Sequence, residues 1–265
     1  MLTDITLGQY FPGNSFLHRL DPRTKLLGTL VYIILVFTAD APIAYGLLSG
    51  FALIASWISG VSFTVLVKSV KPLWIIILLT MAVHFFMTPG RQIFQYAFLT
   101  ITEEGLRQGI FMALRLLLLI IMSSLLTLTT SPLVLTDGIE RLLRPFKVVG
   151  LPAHELAMMM TIALRFIPTL LEETERIMKA QMSRGAEFDS GNLIKRAKNL
   201  VPLLVPLFVS AFRRADELAT AMEARCYRGG DQRTRLKELQ LTGRDWLGMV
   251  ALLLFSGLIL SLKLL

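Results

Sequence analysis

Cysteine is nearly absent from this 265-residue chain, and its scarcity excludes two kinds of site. Cys226 is the single cysteine, so neither an intrachain disulfide nor a cysteine-based zinc site can form. Histidine is also rare, with three in the chain. His154 and Glu155 begin like the helix of a zinc protease, but Met158 occupies the position that needs the second histidine. The sequence therefore predicts no metal site.

A phosphate-binding loop is missing as well, because no glycine is followed directly by lysine. We therefore do not expect the chain to hydrolyse a nucleotide itself or to bind a cofactor directly. The net charge of +8 is compatible with nucleic-acid binding, yet the basic residues lie between apolar runs without an interleaved aromatic pattern. Nucleic acid is therefore not a predicted partner.

Charged residues make up only 17% of the chain, whereas hydrophobic residues make up 54%, more than a soluble core requires. Crossing the hydrocarbon core of a bilayer takes about 20 apolar residues. We identify five such segments, at 24–41, 43–66, 72–88, 107–130 and 246–264. The prediction is an all-α, polytopic membrane protein in three parts: a four-helix membrane domain over 1–130, a charged helical region over 131–245 and a last membrane helix over 246–265.

The distribution of basic residues predicts the orientation of these segments. His18, Arg19, Arg23 and Lys25 precede the first predicted span, and Lys68 and Lys71 separate the second from the third. The segment 89–106 carries one arginine against two glutamates. Because lysine and arginine concentrate in cytoplasmic loops, the N-terminus and residues 131–245 are predicted to be cytoplasmic.

Two long helical patterns dominate the region 131–245. The first, over 153–184, is apolar in its first half and charged in its second, EETERIMKAQMSRG. The second repeats this scheme, with an apolar half over 201–212 and a charged half over 213–226. Pro202 and Pro206 are expected to kink the second helix, and Gly229-Gly230 to terminate it.

The two helices align at an offset of 41 residues, which places Arg184 opposite Arg225. Each arginine lies between two small residues, in the triplets Ser183-Arg184-Gly185 and Ala224-Arg225-Cys226. A simple interpretation is that each charge favours the negative end of a helix dipole, by about 0.3–1 kcal/mol. The alternative is a docking role, because small neighbours leave room for a partner to reach the guanidinium.

Residues around the two triplets favour the docking interpretation. Met178, Met182 and Met222 precede the arginines by one or two turns, and methionine suits adaptable apolar contacts. Arg228, shortly after the second triplet, is also predicted to support the interface. A hydrophobic helix end with a central arginine is the composition of an interface hot spot.

With these residues in view, the chain resembles the transmembrane T component of energy-coupling factor (ECF) transporters, ATP-driven importers of vitamins and trace metals. In that family two cytoplasmic coupling helices each end in an Ala-Arg-Gly-like triplet; each triplet here departs at one small position and keeps the arginine. The resemblance covers essentially the whole chain. Further matching stretches are HRLDPRTKLL (18–27) with Asp21, Pro22, Arg23 and Lys25, GIERLLRPF (138–146) with GLP (150–152), and ALRFIPTLLEE (163–173).

The resemblance implies a non-catalytic subunit in the cell membrane of a prokaryote. Two cytoplasmic ATPases would hydrolyse ATP and receive Arg184 and Arg225 in surface grooves. The helices of 131–245 would carry their movement to a separate membrane subunit, the S component, which binds the imported substrate. Residues Asp21 to Lys25 are expected to form a turn and an anchor for the first helix, and a catalytic role for Asp21 and Arg23 is the less favoured alternative.

Two other classes of protein fit the sequence less well. A self-sufficient secondary transporter usually has interrupted spans in matching halves, and the five predicted segments show no such repeat. An intramembrane enzyme needs polar groups clustered at membrane depth, whereas most acidic residues fall within 131–245.

Arg115 lies inside a predicted span and is expected to snorkel towards the outer interface. Arg165 is expected to face inward and to be either paired or snorkelling, and the sequence does not identify a partner.

Overall fold

The computed structural model describes residues 10–96, 99–186, 188, 192–227, 229 and 239–264. Its helices are α1 Pro22–Thr38, α2 Pro42–Ser59, α3 Phe63–Val70, α4 Trp74–Met87, α5 Glu103–Thr129, α6 Pro132–Leu143, α7 Ala153–Ser183, α8 Leu193–Ala224 and α9 Gly243–Leu264. Short 3₁₀ turns occupy Lys71–Leu73 and Arg144–Val149. The predicted all-α polytopic class is confirmed.

Five of the described helical segments are long and apolar enough to cross a membrane, at Pro42–Ser59, Phe63–Met87, Glu103–Thr129, Ala153–Ser183 and Gly243–Lys263. The predicted number of spans agrees, but the set differs in two places. Helix α1, with 17 residues, is shorter than these five. Helix α7 is included because its first half is strongly apolar, so length and composition alone do not separate it from the spans.

The predicted second span, 43–66, is too long. Helix α2 ends at Ser59 because Gly60 adopts a left-handed conformation with φ of 67°, which stops a helix. Helix α3 then begins at Phe63 and continues through the 3₁₀ turn into α4. Lys68 and Lys71 therefore lie on helical turns, where the sequence had suggested a loop between spans.

The segment predicted as a loop at 89–106 contains a small antiparallel hairpin. Strand β1 (Gln92–Tyr96) pairs with strand β2 (Leu99–Thr102), with Tyr96 opposite Leu99 and Gln92 opposite Thr102. Helix α5 begins directly after β2, and the Thr102 side chain caps it by accepting the Gly105 N–H at 3.1 Å. The hairpin therefore sets the starting point of the longest helix in its unit.

The described residues divide into two compact units, one made of those within 10–138 and 239–264 and one of those within 139–229. In the larger unit, helices α1, α2, α5 and α9 surround a buried apolar core. Tyr32, Leu48, Leu118, Leu125 and Ile259 are each at most 2% exposed. The Tyr32 hydroxyl donates to the Leu48 carbonyl at 3.0 Å, which satisfies the polar end of a buried aromatic side chain.

Helices α4 and α5 approach closely because α5 carries glycine four residues apart. A Cβ added to Gly105 would lie 2.7 Å from the His84 carbonyl oxygen, and one added to Gly109 would lie 2.5 Å from the Phe85 ring. Small residues at this spacing let membrane helices pack backbone to backbone. The pairing is therefore specific to glycine at both positions.

In the smaller unit, α7 matches the predicted helix at 153–184, and α8 is continuous through Pro202 and Pro206, where kinks were predicted. The prediction that Gly229-Gly230 terminates α8 is wrong. Helix α8 ends earlier, at Ala224, because Cys226 adopts a left-handed conformation with φ of 56°.

Candidate functional site

Helices α7 and α8 end in the same hydrogen-bond pattern, and we call these two ends the arginine corners (Ser183-Arg184-Gly185 and Ala224-Arg225-Cys226). In the first corner, Gly185 N–H donates to the Met182 carbonyl and Ala186 N–H to the Gln181 carbonyl, both at 3.0 Å. In the second, Cys226 N–H donates to the Glu223 carbonyl at 2.8 Å and Tyr227 N–H to the Met222 carbonyl at 3.0 Å. Both sets define a Schellman motif, with the arginine as the capping residue.

The two corners differ at the residue that follows the arginine. A Schellman motif requires a left-handed residue there, and Gly185 supplies it with φ of 87°. Cys226 takes the same conformation with φ of 56°, the only positive φ among described non-glycine residues. A side chain in this region costs about 1–2 kcal/mol relative to glycine. The second corner is therefore formed against a local backbone cost that the first does not carry.

We expect Cys226→Gly to stabilise the second corner by about 1 kcal/mol, because glycine adopts the left-handed conformation without strain. Amide hydrogen exchange at Tyr227, whose N–H closes the motif, should slow about fivefold. Gly185→Ala should have the opposite effect at Ala186. Cys226→Ala is the matched control, since it removes the thiol but keeps the Cβ, and it should leave exchange unchanged. Faster exchange in Cys226→Gly than in the parent chain would contradict the assignment.

All six residues of the arginine corners are exposed. Of the predicted supporting residues, Met182 is 49% exposed, and Met178 and Met222 are half-buried. Arg228 lies outside the described residues. Among the described residues, no carboxylate lies within salt-bridge distance of Arg184 or Arg225, so both guanidinium groups are available to an external acceptor.

One ion pair joins the two long helices at equivalent positions. Nη2 of Arg214 donates to Oε2 of Glu173 at 2.9 Å, and these residues are 41 apart, the same offset that aligns Arg184 with Arg225. A local twofold axis brings a residue that lies near it into contact with the aligned residue of the other helix. Each arginine corner follows this contact by eleven residues, about 16 Å along its helix at ~1.5 Å per residue.

A second contact fixes the relative direction of these helices. The phenol of Tyr227, directly after the second corner, lies 3.2 Å from Nε2 of His154 near the start of α7, and Nδ1 of His154 lies 3.1 Å from Glu140. Because the Glu173 contact is in the second half of α7, α8 runs back along α7 in the opposite direction. The arginine corners therefore lie towards opposite ends of the helix pair, up to about 30 Å apart.

The N-terminal motif of Asp21, Pro22, Arg23 and Lys25 anchors the start of α1. Asp21 caps α1 by accepting the Arg23 N–H at 2.9 Å, and Pro22 occupies the first helical turn. The Arg23 guanidinium donates to the Leu239 carbonyl at 3.0 Å. These contacts tie the start of the first helix to the segment that leads into the last.

Lys25 fastens the same helix to the end of α5. Its ammonium donates to the Thr129 carbonyl at 2.9 Å and to the Thr130 hydroxyl at 3.0 Å. A cation at this position also favours the negative end of the α5 dipole. Helix α6 approaches α1 at Gly138, where an added Cβ would lie 2.9 Å from Pro22. Gly138, the first residue of the matching stretch GIERLLRPF, therefore lies against the stretch 18–27.

Asp245 completes this anchor and was missed by the sequence analysis. Its carboxylate accepts the Asp21 N–H, the Thr242 N–H and the Thr242 hydroxyl, each at 2.7 Å, and the residue is 1% exposed. Thr242 and Asp245 form a capping box at the start of α9. The pattern Thr-x-x-Asp before an apolar run was the signal available in the sequence.

Two arginines, Arg115 inside a predicted span and Arg165 in the predicted helix at 153–184, differ in their surroundings. Arg115 is half-buried and donates to the Tyr45 hydroxyl through Nη2 at 2.7 Å and Nε at 3.1 Å. Arg165 is exposed. The prediction that Arg165 faces inward is therefore wrong.

Apolar helices with a buried interhelical core define a polytopic helical membrane protein. Its helix pair α7 and α8 carries the two exposed arginine corners. A family model described as cobalt transport protein matches residues 13–236. A relative from Acidaminococcus fermentans, named energy-coupling factor transporter transmembrane protein EcfT, is 64% identical over 256 residues, 96% of each chain.

Two further relatives carry the same name. The protein from Thermosediminibacter oceani is 58% identical over 261 residues, 98% of each chain. The one from Bacillus subtilis is 50% identical over 264 residues, which cover 99% of this chain and all of the relative. The chain belongs to the family of transmembrane T components of energy-coupling factor transporters.

Proposed function

We propose that this chain couples ATP hydrolysis by two cytoplasmic ATPases to the reorientation of a membrane-embedded S component that binds the imported vitamin or trace metal. The arginine corners carry this proposal. They have the same hydrogen-bonded geometry, both are exposed, and they lie at equal distances from the Glu173–Arg214 contact. Two equivalent docking points suit two similar partners.

Each ATPase would receive one corner in a groove lined by acidic groups. Arginine presents a rigid fork of donors that binds carboxylates in a bidentate manner. Met182 in one corner and Met222 in the other supply apolar contact area around the charge. ATP would be hydrolysed entirely by these partners, and the chain itself would hold no cofactor.

The S component would dock on the apolar halves of the same two helices. Large apolar side chains there are exposed in the isolated chain, namely Met159, Met160, Leu204, Val205, Phe208 and Phe212. Exposed apolar surface of this extent marks a contact with lipid or protein. In this proposal the N-terminus and the smaller unit face the cytoplasm, and movement of the ATPases changes the surface offered to the S component.

Affinity purification from the native membrane tests the proposal. The full chain, tagged at its C-terminus and extracted in mild detergent, should retain two ATPase polypeptides and a small hydrophobic membrane protein. A matched purification with a tagged, unrelated polytopic protein from the same membrane controls for nonspecific association. Recovery of the chain without any ATPase would overturn the proposed coupling function.

A further inference from the structure

A cleft of about 520 Å³ lies in the larger unit beside the turn between α1 and α2 and the first turns of α5. Two arginines, Arg107 and Arg115, line it together with Tyr45, Gln108 and Phe111. None of these residues belongs to the arginine corners or to the N-terminal anchor. The cleft therefore needs an explanation of its own.

Arg115 is held in place by neutral partners. Its guanidinium donates to the Tyr45 hydroxyl, at 2.7 Å and 3.1 Å, and to the Ala39 carbonyl at 3.4 Å. The same group lies 5.4 Å from the centre of the Phe37 ring. These contacts orient the cation without neutralising it, so a full positive charge is retained in a half-buried place, where leaving a charge unpaired is costly.

Arg107 extends this cationic surface by two helical turns. Arg107, Phe111 and Arg115 are spaced four residues apart on α5, so they lie on one face. The Arg107 guanidinium is 5.7 Å from the centre of the Phe111 ring, and that ring stacks on Tyr45 with 5.0 Å between centres. The result is a row of alternating cations and aromatic rings along the cleft.

Two carboxylates, Asp40 and Glu104, also line the cleft, and each has a partner of its own. Asp40 lies 3.5 Å from the ammonium of Lys263. Glu104 accepts the backbone N–H of Arg91 at 2.7 Å. Within the described residues neither Arg107 nor Arg115 forms a salt bridge, so the cleft keeps two guanidinium groups and the Gln108 amide without an anionic partner.

We propose that this cleft binds a phosphate group, carried by the headgroup of an anionic phospholipid or by a soluble phosphate. Guanidinium groups bind phosphate oxygens in a bidentate manner, and the Gln108 amide adds a donor. The position favours a lipid, because Phe37 and Ile110 expose 57% and 50% of their surface on the same helices and offer contact area for acyl chains. The cleft has the same lining on whichever side of the membrane it lies. The phosphate-binding proposal therefore does not depend on the proposed coupling function.

The test measures lipid retention by the full chain. Protein purified in detergent is reconstituted into nanodiscs of phosphatidylglycerol and phosphatidylcholine, re-extracted, and the lipids that remain bound are quantified by mass spectrometry. Phosphatidylglycerol should be enriched over phosphatidylcholine, and Arg107→Gln should reduce that enrichment about tenfold. Arg91→Gln is the matched control, since it removes an exposed arginine from the neighbouring loop, outside the cleft, and should retain the enrichment.

A soluble-anion arm distinguishes the two sources. Inorganic phosphate is added at about 10 mM, on the order of the concentration that fills a weak anion site. It should leave the retained phosphatidylglycerol unchanged if the lipid headgroup is the ligand. Displacement by phosphate in the parent chain but not in Arg107→Gln would assign the site to soluble phosphate. Equal loss of enrichment in Arg107→Gln and Arg91→Gln, or no loss in either, would overturn the proposal.

Discussion

Replacing Arg184 and Arg225 together with alanine is expected to abolish co-purification of the ATPases while leaving the chain inserted in the membrane. Each arginine is proposed as the central charged contact of one interface, where truncation costs about 2–4 kcal/mol, or roughly 30- to 1000-fold in affinity. Both side chains are exposed in the isolated chain, so their loss should not unfold it. Either single variant should retain one ATPase attachment and lose the other.

A second pair of arginines on the same helices provides the control. Arg176 and Arg213 are also exposed, and removing both changes the net charge by the same amount. The variant with both replaced by alanine should retain the two ATPases at parental stoichiometry. The docking assignment fails if the ATPases co-purify with the Arg184/Arg225 double variant, or if both double variants lose them equally.

Asp245→Ala is expected to lower the unfolding temperature of the detergent-solubilised chain by about 10 °C. The carboxylate accepts three hydrogen bonds at a site that is 1% exposed, and its loss leaves the N–H groups of Asp21 and Thr242 without an acceptor. An acceptor lost from the buried Asp21 N–H costs about 1–3 kcal/mol, loss of the helix cap at Thr242 costs about 0.5–2 kcal/mol, and 1 kcal/mol corresponds to about 2–4 °C at this chain size. Thermal unfolding monitored by tryptophan fluorescence measures the effect.

Asp40→Ala is the matched substitution, because it removes a carboxylate that lies near α9 at its other end. The Asp40 side chain is 76% exposed and lies 3.5 Å from Lys263, and such surface pairs contribute less than about 1 kcal/mol. Its unfolding temperature should stay within a few degrees of the parent. If Asp245→Ala and Asp40→Ala shift it equally, Asp245 does not anchor the last helix.

The helices were predictable where the sequence carries an uninterrupted apolar pattern. The predicted helix at 153–184 matches α7, and the break predicted between the first two spans, 24–41 and 43–66, separates α1 from α2. The errors occurred where one residue's conformation decides the outcome. Gly60 ends α2 inside a run that remains apolar on both sides. The length of an apolar run does not predict where a residue adopts a left-handed φ.

The arginine corners could be located from the sequence, but their geometry could not. The end of α8 was assigned to the glycines at 229 and 230 because glycine favours the left-handed conformation. In the structure Cys226 takes that conformation despite its side chain. The contact between Glu173 and Arg214 was equally out of reach, since alignment of two helices does not show that they pack at aligned positions.

Asp245 illustrates a different limit. Its capping role beside Thr242 is local and has a sequence signal, whereas its bond to Asp21 joins residues 224 positions apart. Local chemistry predicts a helix cap, but only the fold brings that cap to the first helix. This link between the first and last helices of the larger unit therefore comes from a residue whose sequence context suggests only a helix start.

The equal spacing of the arginine corners from the Glu173–Arg214 contact has a mechanical consequence. The contact can act as a fulcrum, and the two helix ends beyond it are levers of the same length. Equal displacements imposed at the two ends would then balance about that point, whereas a displacement at one end alone would tilt the pair. Inserting one helical turn between Arg214 and Arg225 would make the levers unequal while leaving both arginines intact.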